Sequence, residues 1–109
     1  MIFAFATDEK TLTIFPDEKA AVAFCEGLDV AEGNWLLFAA DGSPMDPVFS
    51  VPATRKGFVV SHGCYSLSLS ESRSKSHLLA LLTQVSSVEG APPLNSVAAI
   101  KKLLTPCPP

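Results

Sequence analysis

Apolar and polar positions along the chain fall into short blocks with two periods. Residues 2–6 are apolar throughout, with bulky Ile2, Phe3 and Phe5 set among alanines, and residues 11–15 alternate between threonine and Leu12 or Ile14. The polar tetrad Thr7-Asp8-Glu9-Lys10 between them predicts a β-hairpin with Leu12 and Ile14 toward the core and Thr11 and Thr13 outward. Six apolar residues, Trp35 to Ala40, are bracketed by Ala31-Glu32-Gly33-Asn34 and Asp41-Gly42-Ser43-Pro44. This run is too short for a typical helix and holds the only tryptophan, so it reads as the central strand, buried on both faces. Residues 47–51 form another strand candidate, which Pro52 ends or assigns to a sheet edge. Residues 58–61 and 64–70 follow the basic turn Arg55-Lys56-Gly57 as one bent strand or two short ones, with Tyr65, Leu67 and Leu69 on one face.

Helical spacing appears three times. After Pro16, the carboxylates of Asp17 and Glu18 suit the positive end of a helix, and Ala20, Ala21, Phe24, Cys25 and Leu28 make one apolar stripe. Phe24 is its expected anchor and Gly27 its expected stop. A serine-rich segment at 70–76 precedes a second helix with Leu78, Leu81, Leu82, Val85 and Val88 on its buried side, ended by Gly90-Ala91-Pro92-Pro93. Asn95 or Ser96 caps a third helix carrying Val97, Ile100, Leu103 and Leu104, and residues 105–109 read as a frayed tail. The order ββα-βββ-αα with hairpin-length connections predicts one α+β domain over 1–109: a mostly antiparallel sheet of about five to six strands, with three helices over one face.

Composition bounds the function. The chain is 109 residues long, 48% hydrophobic, with a mean hydropathy of +0.32, which argues against disorder. The longest apolar runs are far below the roughly 20 residues of a membrane span, and the N-terminus lacks the basic start of a secretory signal. Three dispersed cysteines, Cys25, Cys64 and Cys107, suit free thiols in a reducing cytoplasm. Charge is unevenly placed. Residues 1–46 hold nine acids against Lys10 and Lys19, whereas residues 47–109 hold Glu71 and Glu89 against six basic residues. The acidic half repels phosphate backbones and attracts basic proteins.

Catalytic chemistry is sparse. Cys64 with His62 or His77 is the one nucleophile–base combination, and it defines an alternative reading as a small cysteine-dependent hydrolase or transferase. Cys25, on the helix stripe, reads as a small buried hydrophobe. Two histidines without paired cysteine spacing predict no metal site, and no cofactor is expected. Asp41-Gly42-Ser43-Pro44 lacks the features of a phosphate loop. Ser72-Arg73-Ser74-Lys75 reads equally as an anion-binding helix start or a solvated cap. A third reading is a dimeric adaptor using the 47–52 strand as an exposed edge.

The segment from Phe15 to Phe49 carries an acidic-capped helix ending Cys25-Glu26-Gly27-Leu28-Asp29-Val30, then Glu32-Gly33-Asn34-Trp35, Phe38 and Asp41-Gly42-Ser43-Pro44. With Glu89-Gly90-Ala91-Pro92-Pro93-Leu94-Asn95-Ser96, this pattern resembles immunity proteins of contact-dependent inhibition and related polymorphic-toxin systems, over about half the chain. The resemblance implies a non-enzymatic cytoplasmic protein, monomeric when free, that binds one cognate toxin domain, often a nuclease, and blocks its active site. It admits a ribonuclease of the RNase A-like class without fixing the toxin. Charge placement then nominates Asp8 and Glu9, Asp29 and Glu32, and Asp41 and Asp46 as the toxin-facing carboxylates, with no direct contact to nucleic acid or membrane. These pairs flank both ends of the 35–40 run, so they share a patch only if it lies mostly at one end or runs along a sheet face.

Overall fold

A computed structural model describes residues 1–71 and 75–105. The anion-binding reading of Ser72-Arg73-Ser74, the tail beyond Thr105 and Cys107 lie outside the described residues.

The sheet is organised around β1 (Ile2–Ala6), which is buried at all five positions. Its neighbours are β2 (Thr11–Phe15) and β3 (Trp35–Phe38), both antiparallel to it. Because a strand apolar at every position must be covered on both sides, two cores form. Phe3 and Phe5 pack with Leu12, Phe38, Leu78 and Ile100 on one face, while Ile2 and Ala4 pack with Phe15, Ala21, Cys25 and Leu37 on the other. The helices divide accordingly. α1 (Glu18–Phe24) and α2 (Gly27–Ala31) bring Ala21, Cys25 and Val30 to the second core. α3 (Leu78–Leu81), a following 3-10 turn at Leu82–Gln84, and α4 (Val97–Leu104) supply the first. The expectation of helices on one face is corrected by β1, whose apolar residues alternate between the two sides.

The α+β class and the mostly antiparallel sheet are as expected, with order β7-β4-β3-β1-β2-β8. β4 (Pro44–Val51) pairs with β7 (Cys64–Leu69) nearly throughout, with an irregularity between Phe49 and Val51. β5 (Thr54–Lys56) and β6 (Val59–Ser61) form a separate two-stranded hairpin. The segments 58–61 and 64–70 are therefore two strands in different sheets. Gly63 divides them at φ +64, where an added Cβ would lie 2.1 Å from the Val51 carbonyl oxygen. β4 lies between β7 and β3 in the sheet order, but its residues 47–51 pair only with β7.

Other details differ from the sequence pattern. Asp17 caps α1 by accepting from the Ala20 N–H at 2.8 Å, but the helix ends at Cys25 and Gly27 starts α2. Phe24 is no buried anchor. It is 60% exposed and stacks on the rim between Phe15 and Trp35, at centroid distances of 5.4 and 6.0 Å. The 35–40 run is buried only at Leu37 and Phe38. Trp35 is partly exposed, Leu36 is exposed, and Ala39 and Ala40 belong to the following turn. Val85 and Val88 are not helical. The chain leaves the 3-10 turn at Val85, and Val88 lies in β8 (Ser87–Glu89), parallel to β2 and opposite Leu12. Branched Val85 and the Ser86-Ser87 pair disfavour helix, and the exposed side of β2 accepts them as a strand. Ser96 caps α4 by accepting from Ala99 N–H at 3.2 Å. Among the described residues, no helix is long and apolar enough to cross a membrane.

Candidate functional site

The β1–β2 turn and the chain between α2 and β3 meet at one end of the sheet. Thr7 N–H donates to the Asn34 carbonyl at 3.0 Å, extending the β1–β3 ladder by one pair. Asn34 N–H donates to the Asp29 carbonyl at 2.9 Å, and its side-chain amide reaches the Asp29 carboxylate at 3.4 Å. Gly33 makes this tight return possible with φ +80, a conformation that side chains disfavour. Asp8, Glu9 and Asp29 consequently line one cavity of about 200 Å³ with Ala6, Asn34 and Trp35. Three acidic residues line it, and no cation is among the lining residues.

The other nominated acids are placed differently. Glu32 follows α2 near this end, but its carboxylate is 3.3 Å from the Arg55 guanidinium, tying α2 to the β5–β6 hairpin. Asp41 sits in the turn at the opposite end of β3, where it accepts from the Ser43 N–H at 2.9 Å. That backbone bond, with the Ser43 hydroxyl and nearby His77 adding, holds its carboxyl below the ordinary range. Asp46 lies on β4 in an ion pair with Lys75, whose hydrogen bond lowers the Asp46 carboxyl as well. The structure thus gathers Asp8, Glu9 and Asp29, leaves Glu32 beside them with a partner, and separates Asp41 and Asp46.

A larger opening of about 600 Å³ lies next to the acidic cavity and shares Trp35 with it as a wall. It is a split in the sheet. β3 and β4 pair only at Leu37↔Met45 and Phe38↔Pro44 before diverging. Trp35 and Leu36 line one side, Pro47 and Phe49 the other, and Val30 and Ala31 of α2 close one face, with Lys75 and Leu81 on the opposite one. Sequence reasoning missed this opening. Its signal was Pro47, a residue without an N–H inside a strand, but that signal has meaning only once the register is known.

Among the described residues, both imidazoles hydrogen-bond to groups other than the Cys64 thiol. His62 accepts from the Leu28 N–H through Nδ1 at 3.4 Å and lies 3.5 Å from Glu26 through Nε2. His77 accepts from the Leu79 N–H through Nδ1 at 3.1 Å, which leaves Nε2 to donate to the Asp41 carbonyl at 2.7 Å. Both imidazoles serve as helix caps and turn braces. Cys64 is exposed, while burial, with the Asp29 charge adding, pushes the Cys25 thiol up to about 12. Among the described residues, no three His, Cys, Asp or Glu side chains gather as a metal site. Compared with protein-family models, curated proteins and solved structures, the chain matches none.

Proposed function

We propose that this chain is a non-enzymatic immunity protein, which binds a cognate toxin domain in the cytoplasm and covers its cationic active site with carboxylates. The observation that carries this reading is that Asp8, Glu9 and Asp29 line one cavity with the partly exposed Trp35. A nuclease must present cations to hold phosphates, so a set of carboxylates competes for the same groups and speeds encounter. An aromatic surface beside desolvated charge pairs is the usual composition of an energetic hot spot. The excess of acids in residues 1–46 supports the same reading by favouring encounter with a cationic partner. The free chain is read as a monomer, and the toxin as a nuclease, with the RNase A-like class admitted.

The test is co-expression with the C-terminal domain of any large exported protein that a neighbouring gene is found to encode. Wild type should restore growth. The pair Asp8→Lys with Asp29→Lys should weaken toxin binding by about ten-fold or more, mainly through a slower, less salt-sensitive association. Asp41→Lys, at the far end, should bind as wild type does. A harmless neighbouring domain, or growth not restored, sinks the reading; an unaltered affinity and salt slope in the double variant sinks the acidic cavity as the contact.

A further inference from the structure

The split between β3 and β4 has a physical cause in the alternation of the ladder. The Thr7–Asn34 bond points the main chain of Asn34, Leu36 and Phe38 toward β1. The alternate residues face β4, as the Ala39 N–H shows by donating to the Ser43 carbonyl at 2.8 Å. Carrying the Leu37↔Met45 register two residues further sets Trp35 opposite Pro47 at a position that should exchange two hydrogen bonds. Pro47 has no N–H to donate, and its ring stands where that hydrogen would be. Pairing therefore stops, β4 follows β7, and the main chain of Trp35 is directed into the opening.

We propose that an extended segment of the partner occupies this cleft, seating a large apolar side chain between Trp35 and Phe49 and a lysine or arginine among Asp8, Glu9 and Asp29. The partner is the toxin of the preceding reading, on which this inference rests. Three observations select such an occupant. The cleft walls are chiefly apolar, so a side chain placed there loses water contact. Among the described residues, β3 makes no β4 pair at Trp35, which leaves a main-chain edge of the kind that strand addition uses. The carboxylate cavity lies on the other side of the same indole, and supplies charge complementarity to a cation in the same segment. Alternate residues of an extended chain are about 7 Å apart on one face, so one ring width separates the two side chains.

The experiment uses an array of immobilised hexapeptides that combine Lys or Arg with Leu, Ile, Phe or Met at separations of one to three residues. Wild type should retain the cation–apolar peptides about ten-fold better than the same peptides with glutamate for the cation. Pro47→Val supplies the missing N–H and lets β3 and β4 zip past Trp35. It should lose peptide retention while melting no lower than wild type. Ala31→Arg, an exposed substitution at the cleft mouth, should lose retention even if Pro47→Val folds poorly. Equal retention of glutamate peptides, or retention unchanged in both variants, overturns the proposal. So does a cleft that takes only a small apolar dye, with no competition from peptides. A concentration-dependent dimer that Phe58→Ser abolishes would also overturn it, because Lys56 and Phe58 on the β5–β6 hairpin of a second copy carry the same chemistry. Peptide retention without growth protection refutes the toxin as occupant and the function above, while protection by a Pro47→Val chain that no longer holds peptides refutes the cleft alone.

Discussion

Replacing Gly27 by alanine sets two physical effects of opposite sign against each other. Gly27 opens α2, and its φ lies outside the left-handed region, so helix propensity alone predicts a gain of up to about 1 kcal/mol. Contact geometry predicts a loss. A Cβ at Gly27 would lie 1.8 Å from the His62 carbonyl oxygen and 2.9 Å from its carbon, both main-chain atoms. Ordinary contact needs well over 3 Å, so α2 or the β6–β7 turn must move by more than an ångström. Overpacking of that kind costs about 1–3 kcal/mol, and the long Leu28–His62 hydrogen bond goes with it, at roughly 0.5 kcal/mol or more. The net expectation is a loss of about 2 kcal/mol, or a fall in Tm of roughly 5–10 °C for a domain of this size. Urea titration followed by the single tryptophan measures it, because Trp35 sits beside α2 in the second core. Gly57→Ala is the control. It has φ +59 with nothing within 4 Å, so its cost is confined to local strain in the hairpin. A Gly27→Ala chain at least as stable as wild type would refute the close approach of α2 to His62. Since α2 carries Asp29, Val30 and Ala31, that result would also undo the placement of both cavities.

Two further outcomes follow from burial. The Cys25 thiol titrates near 12 in the folded chain and near 8.5 once unfolded, so the unfolded state alone releases a proton between those values and stability falls as pH rises through that window. At pH 10 the loss should be roughly 2 kcal/mol against pH 7, absent in Cys25→Ala. Tyr65, also raised to about 12 by burial and donating its hydroxyl to the Cys25 carbonyl at 2.6 Å, adds to the decline above pH 10. Equal alkaline sensitivity in Cys25→Ala would show that the thiol is not buried as described. Phe58, fully exposed at the hairpin tip, should contribute nothing to folding, so Phe58→Ser should change stability by less than about 0.5 kcal/mol. A larger loss in a urea titration would mean that the hairpin packs on the main sheet.

What could be read along the chain was what neighbouring residues decide among themselves. The β1–β2 hairpin, the Asp17 and Ser96 caps, the buried character of Cys25 and the α+β class all follow from local period, capping and turn chemistry. Their energetic basis lies within a few residues, so one sequence carries it. Tertiary structure decided the matters that depend on a partner. Phe24 has helical spacing yet lies on the rim, because small Ala21 and Cys25 let the helix settle against the sheet before a ring can fit beneath it. Val88 is a strand residue because β2 offered an unpaired side. Asp29 is at least twenty positions from the adjacent Asp8 and Glu9, and they share a cavity because β1 pairs with β3. Asp41 follows the same strand and is carried away by its length. Pro47 gives the same lesson at the cleft: the lack of an N–H is written in the sequence, but only the register set by Leu37 and Met45 makes Trp35 the residue left without it.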